Sequence, residues 1–429
     1  MPGKTTTPRI TKFTNCRILR GNSLLEQDLW IDSVSGKILR DQEAFYDLHL
    51  SPDEVIDLGG RILAPGLIDV QLNGAQGFDF SVPQPSKDEY DEGLRLVNRG
   101  LARTGVTAYL PTVVSSTPEV YHQVLPSLRP SGAKHAPEDG AESLGAHVEG
   151  PFISPGRNGV HKPEVLRAAA AFADLEHCYG RANLLAGPAQ SVKMITAAPE
   201  VGNMAAHIPA LAANGIIYSI GHSDASYEQA LAASKHGAAM ITHLFNAMRP
   251  FYHRNPGVFG LLGQNDRRPR PCYGLIADGI HLHPTSIRIA YNAHPDGCIL
   301  VTDAMKLCGL PDGVYDWTNG DRIIKSGPRL TLEGSDKIAG SSATLIECVN
   351  NFRRWSGADT ARALNAVTAV PARLLGLEGV KGSLESGADA DLVVLSDVMD
   401  DYAGPTLTVD QVWKRGVKIV DNEKDRPVV

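Results

Sequence analysis

Along its middle, the chain alternates short apolar runs with longer stretches whose apolar residues recur at helical spacing. Eight runs read as strands: residues 66–73, 105–112, 144–150, 192–200, 215–222, 238–243, 272–281 and 297–304. Amphipathic segments separate them. In DASYEQALAASKHG, for example, Ser223 or Asp224 is expected as the N-cap and Gly237 as the C-cap. Eight β/α units in about 310 residues predict an α/β fold, a (β/α)8 barrel of the TIM type. The alternative is a doubly wound sheet. Against it, no GxGxxG follows the first strand, and the acidic and histidine residues do not gather at one switch point.

The two ends carry a different pattern. Residues 16–63 and 380–420 hold short apolar runs broken at Ser35-Gly36, Gly59-Gly60 and Arg415-Gly416, which read as hairpins. The stretch from Phe13 to Leu19 reads as a first strand. A lone hairpin is marginal in water. Both ends are therefore expected to pair into one small, discontinuous, sandwich-like β-domain of residues 1–63 and 378–429, with the barrel spanning 64–377. Residues 129–141 read as a surface loop.

Composition narrows the class. Of 429 residues, 43% are hydrophobic and 21% charged, enough for a sizeable core. The 41 basic and 48 acidic residues leave a net charge of -7, which argues against non-specific binding to nucleic acid or anionic membranes. No apolar run approaches the roughly 18 residues of a membrane helix. The six cysteines form no CxxC pair and read as reduced thiols of a cytosolic chain. The basic, Thr-rich start slightly resembles a transit peptide but lacks the apolar segment of a secretory signal. The expectation is an intact cytoplasmic protein.

In barrel enzymes the chemistry sits at the C-terminal ends of the strands. Here the third run ends in Glu149, the fifth in His222 and the sixth in His243. The seventh ends in Asp278, with His281 beyond, and the eighth in Asp303; the first ends in Gln71 and Asn73. A carboxylate with two imidazoles suits a divalent metal with one position left for water. Either histidine alone would read equally well as a hydrogen-bonded core residue. His147 shares the inward parity of Glu149 and fits either a supporting or a structural role. Asp303 suits a general base facing a metal-activated water, its alternative being a helix cap. Past the sixth strand, Asn246 and the backbone of Ala247 lie where amide groups can face an anion. His253 and Arg254 add cationic donors suited to phosphate, and an ordinary solvated loop explains them equally well.

The segments APGLIDVQLNGAQG (64–77), HVEGPFI (147–153), GVHKPE (159–164), TAAPE (196–200), GHSDAS (221–226), THLFNAM (242–248), HRNPG (253–257), ADGIHLHP (277–284), VTDAM (301–305), IAGSSAT (338–344) and GADADLVVL (387–395) span nearly the whole chain. Together they resemble the amidohydrolase superfamily, and within it the N-acetylglucosamine-6-phosphate deacetylase family. Most amidohydrolases place HxH where Gln71 and Asn73 stand, and a metal-bridging lysine is absent from TAAPE. The resemblance therefore implies a single ion on Glu149, His222 and His243, zinc foremost, with iron(II), cobalt and manganese also compatible. It implies hydrolysis of the N-acetyl group of N-acetylglucosamine 6-phosphate to glucosamine 6-phosphate and acetate. It implies that Val160 and His161 contact the substrate, with His161 near the amide carbonyl. Asn246 and Ala247 would hold the phosphate end, and Arg254 would reach it from the partner of a homodimer. Asp278, Gly279, Ile280 and His281 would line the sugar, and Ile338, Ala339 and Gly340 would form a further wall. In the implied mechanism Asp303 takes the proton of the attacking water and returns it to the departing amine. The metal and His161 stabilise the oxyanion. Two other readings remain at this point: another mononuclear amidohydrolase, such as a D-aminoacylase or adenine deaminase, and a non-catalytic scaffold of the same fold.

Overall fold

Each of the eight apolar runs forms a strand in the computed structural model, which describes residues 9–40, 50–132, 135–264, 270–317, 321–400 and 404–422. The strands are Leu67–Leu72, Val106–Val114, Ala146–Glu149, Val192–Ala197, Ile217–Ile220, Met240–Ile241, Cys272–Ile276 and Cys298–Val301. Each pairs in parallel with the next in chain order, from first to eighth. Almost every residue in them is buried, as strands enclosed by helices outside and side chains inside must be.

The seam between strands eight and one closes differently. At the upper end Asp303 N–H donates to the Gln71 carbonyl and Asn73 N–H to the Ala304 carbonyl, both at 2.9 Å. At the lower end residues 366 and 367 intervene: Leu300 N–H donates to Ala366 (3.0 Å) and Ile68 N–H to Val367 (2.8 Å). Between them Thr302 Oγ1 donates to Asp69 Oδ2 at 2.6 Å, and burial pushes the Asp69 carboxyl up to about 7.

The helix after strand five runs Tyr227–Lys235, and its N-cap is Ser226, not Ser223 or Asp224. Ser226 wins because Gln229, three residues on, completes a capping box with it. Ser223 and Asp224 are engaged elsewhere, on Glu200 and Arg157. The C-cap is His236, one residue before Gly237.

The chain ends meet as expected. A six-stranded sheet runs in the order Val417–Asp421, Gly404–Lys414, Leu392–Asp400, Ile62–Pro65, Arg17–Arg20, Ser23–Glu26. Its centre joins the two ends, with Leu63 opposite Val394. A four-stranded sheet of Lys37–Leu39, Leu29–Asp32, Ile10–Thr14 and Glu54–Asp57 lies beside it. The Arg415-Gly416 turn has φ of +46° and +75°, the left-handed pair that a two-residue hairpin needs.

Two local expectations fail. Gly59-Gly60 does not close a hairpin, because Glu54–Asp57 and Ile62–Pro65 belong to different sheets. Residues 13–19 are not one strand: Asn15, at φ +49°, breaks the run so that the chain crosses from the smaller sheet to the larger. A further sheet, antiparallel throughout, of Gly313–Asp316, Arg322–Ser326, Arg329–Leu332 and Ile338–Ser341 follows strand eight, where the sequence pattern predicts none.

A buried ionic cluster locks the end sheet to the barrel. The Lys414 ammonium, fully enclosed, donates to Glu142 (2.6 Å), Asp391 (2.7 Å) and the Thr107 carbonyl (3.0 Å). Lys381 reaches Asp391 and Asp389, each at 2.9 Å. Burial works against the charge on Asp391 and Glu142, but the two lysines override it and hold both carboxyls below their ordinary range. All six cysteines are free thiols. Among the described residues no helix is long and apolar enough to cross a membrane.

Removing one partner of such a cluster strands a buried charge. Lys414→Ala should therefore cost about 3–5 kcal/mol in the urea-unfolding free energy. Asp391 and Glu142 bind protons more readily unfolded than folded, so their stabilisation is complete above about pH 5 and declines as the pH falls further. Denaturation midpoints measured from pH 7 down to pH 4 check this, and the decline should be shallower in Lys414→Ala.

Candidate metal centre and active site

The apolar strands that make the barrel also aim its polar ends at one another. Glu149 closes strand three, while His222 and His243 follow strands five and six. All three are buried. Glu149 Oε1 lies 3.2 Å from His222 Nε2 and 2.9 Å from His243 Nε2, and the two Nε2 atoms are 3.0 Å apart. Donor atoms of tetrahedral ligands at about 2.0–2.1 Å stand roughly 3.3 Å apart, so this triangle is close to the spacing a bound ion sets.

The protonation pattern makes the same point. His222 Nδ1 lies 2.8 Å from the Arg157 carbonyl, which can only accept, so Nδ1 carries a proton and Nε2 is the nitrogen turned toward Glu149. Burial works against charge on His243, yet Glu149 overrides it and pushes the imidazole up to about 9. Burial likewise opposes ionisation of Glu149, and the two histidines hold it well below its ordinary value. The donor set, one carboxylate and two imidazoles that turn Nε2 toward it, fits a divalent ion.

Gln71 and Asn73 bind carboxylates instead. Gln71 Nε2 donates to Glu149 Oε1 (3.1 Å) and to Asp303 Oδ1 (3.3 Å), and Asn73 Nδ2 donates to Asp303 Oδ1 at 2.7 Å. The amides thus tether Asp303 beside the triangle. Burial, reinforced by the Glu149 charge, pushes the Asp303 carboxyl up to about 6. His222, His243 and Asp303 all leave their strands in the left-handed region, at φ +48°, +25° and +47°. Such backbone costs about 1–3 kcal/mol per residue and clusters at functional sites.

His161 comes from the loop after strand three, its ring 4.5 Å from that of His222. A nitrogen of His161 lies within 4.8 Å of ligand atoms of both Glu149 and His222. Its Nδ1 accepts the Ser115 N–H at 3.3 Å and meets Ser115 Oγ at 2.7 Å. Burial, with the His222 charge, pushes it down to about 3, so the ring is neutral and its proton sits on Nε2. His147 lies one layer deeper, between the Val70 carbonyl (3.0 Å) and Thr196 Oγ1 (2.7 Å), as a satisfied core histidine.

A family model described as the amidohydrolase family matches residues 62–419. The chain belongs to the amidohydrolase family. This amidohydrolase is 44% identical over 412 residues to the N-acetylglucosamine-6-phosphate deacetylase of Danio rerio, covering 95% of this chain and 97% of that one. It is 46% identical over 413 residues to the protein of that name in Homo sapiens, covering 95% and 96%. Among solved structures, a mutant N-acetyl-D-glucosamine-6-phosphate deacetylase of Mycobacterium smegmatis, in complex with N-acetyl-D-glucosamine-6-phosphate, superposes with a TM-score of 0.75 at 27% identity. That match covers 97% of this chain and all of the other, 100%.

The remaining expected site residues of the amidohydrolase lie on five loops or edges around that centre. Asp278 and His281 bond at 2.7 Å; burial opposes charge on His281, but Asp278 overrides it and raises its pKa. Gly279, at φ +79°, sits against Trp355, and the backbone N–H groups of Ile280 and His281 donate to Asp278 Oδ1. Ile338, Ala339 and Gly340 lie on the edge strand that joins the loop after Asp303, through Met305 N–H to the Ser341 carbonyl at 2.8 Å. Asn246 stands three residues after His243, its N–H on the His243 carbonyl at 2.9 Å, and Ala247 turns at φ +48°. Val160 is 85% exposed on the His161 loop. Arg254 is exposed, and its guanidinium bonds within its own loop, to His253 Nε2 at 3.0 Å. Ser115, Arg157, Glu200 and Asp224 escaped the sequence reading, being ordinary polar residues whose partners are far along the chain.

Glu149→Gln and His243→Ala should each leave the purified chain without stoichiometric metal while its far-ultraviolet circular dichroism is unchanged. Elemental analysis of both variants beside the wild type checks this.

Proposed function

We propose that the chain hydrolyses the N-acetyl group of N-acetyl-D-glucosamine 6-phosphate, releasing D-glucosamine 6-phosphate and acetate. The observation that carries the reading is Asp303, tethered by Gln71 and Asn73 beside the Glu149, His222 and His243 triangle. The names of the relatives and the substrate complex of the Mycobacterium smegmatis protein support it.

Glu149, His222 and His243 would hold one divalent ion, zinc foremost, which when bound supplies Lewis acidity and an acidified water. Asp303, placed next to that position, accepts the water's proton and later delivers it to the amine nitrogen, which must be protonated to leave. His161, neutral with its proton on Nε2, donates to the amide oxygen as negative charge develops there. Asn73 and Gln71 keep the Asp303 carboxylate from swinging away between the two transfers. Val160 contacts the substrate beside His161. Asp278 to His281 contact the sugar, and Ile338 to Gly340 wall it. Asn246 and the Ala247 backbone receive the phosphate. Arg254 is exposed and bonded only within its own loop, to His253, and is read as serving the partner's site across a homodimer interface. The assembly is read as a cytoplasmic phosphosugar enzyme, its barrel over 64–377 flanked by a small domain of 1–63 and 378–429.

The direct test is acetate release from N-acetylglucosamine 6-phosphate with and without a chelator; no release by the metal-loaded chain would overturn the reading. Asp303→Asn should keep metal and fold but lose about 10²–10⁴-fold in kcat. A desolvated charge-assisted contact is worth about 1.5–3 kcal/mol, so Arg254→Ala should lower kcat/KM for the phosphorylated sugar by roughly ten- to over a hundredfold. The slow hydrolysis of unphosphorylated N-acetylglucosamine should barely change. In mixed dimers of Arg254→Ala with Asp303→Asn, one site carries both defects and the other neither, so activity should partly return.

A further inference from the structure

The loop after strand three does two jobs. Its Arg157 carbonyl accepts the His222 Nδ1 proton at 2.8 Å, and four residues later it presents His161. The Gly159 backbone is so close that a Cβ there would stand 3.5 Å from His222 Cε1. The position of this loop therefore sets the plane and tautomer of the His222 ring.

An ionic clamp holds the loop down. Arg157 grips one oxygen of Asp224 with Nε (2.9 Å) and Nη2 (2.8 Å), and Arg249 Nη2 takes the other oxygen at 3.2 Å. Glu200 anchors the base: its two oxygens accept the Asp224 N–H at 2.6 Å and Ser223 Oγ at 2.8 Å. These residues come from the loops after strands three, four, five and six. The paired side chains of Arg157, Asp224 and Arg249 are 32%, 41% and 35% exposed. Ion pairs that open to water add little to folding stability. The clamp must be explained by what it positions.

We infer that Asp224, through Arg157, is a positioning residue for the His222 metal ligand, with Arg249 and Glu200 holding Asp224 in turn. The inference rests on reading Glu149, His222 and His243 as metal ligands. A ligating imidazole keeps its direction through the bond its other nitrogen makes. Here that bond runs to a backbone carbonyl on a loop, so the constraint passes to whatever immobilises the loop.

The test measures zinc affinity by competition with a chelator, alongside the unfolding temperature of the metal-free chains. The wild type is compared with Arg157→Ala, Asp224→Ala, the double variant and Arg157→Lys. Each single alanine variant should bind zinc about 10- to 100-fold more weakly, the range for lost partners of ligating histidines. The double variant should lose little more than either single one, because the two residues act as a unit. Arg157→Lys should recover part of the loss, and the metal-free unfolding temperatures should agree. Asp224→Asn substitutes if the alanine variant does not fold. Wild-type affinity in the Asp224 variants, or additive losses in the double variant, overturns the clamp. A wild type that holds no zinc overturns the metal reading itself.

Discussion

One carboxylate oxygen and two imidazole nitrogens converge on a buried point at the mouth of the barrel, and the charge of the carboxylate has to be met there by cationic partners. The rest of the upper face follows from it. Glu149 is fixed because strand three is buried on both sides. The histidines reach it because their strands end in left-handed turns that bend the side chains inward. Gln71 and Asn73, which offer amide N–H groups to carboxylates, leave the first strand out of the ligand set and hold Asp303 instead. The same buried charge raises the Asp303 carboxyl, which suits it to receive and return a proton near neutrality.

The pattern of long apolar runs made the barrel legible, because strands buried on both faces announce themselves without reference to their neighbours. The polar residues ending those runs were legible for the same reason: Glu149, His222, His243 and Asp303 interrupt otherwise continuous apolar segments. What could not be read depends on partners far away. Whether Gly59-Gly60 closes a hairpin or passes the chain between sheets is decided by pairing with strands at residues 10–20 and 392–395. Ser226 outcompetes Ser223 as a cap because Glu200 claims the latter. The sheet between residues 313 and 341 has short, mixed strands whose faces are only partly buried, so its alternation is weak.

The lower face shows the converse economy. Strands eight and one do not zip together along their whole length; residues 366 and 367 wedge between them below, while Asp303 and Asn73 stitch them above. The buried Asp303 is therefore part of the closure of the barrel, and its backbone cannot move without opening that seam.

The enclosed Lys414 has a consequence for how the chain is made. Its carboxylate partners lie at Glu142 and Asp391, and its carbonyl partner at Thr107, so the contact that pins the end sheet to the barrel spans 307 residues of sequence. Glu142 precedes both of its counter-charges, Lys381 and Lys414, by more than 200 residues of sequence. The last sheet strands must arrive before that carboxylate can be buried at its final depth.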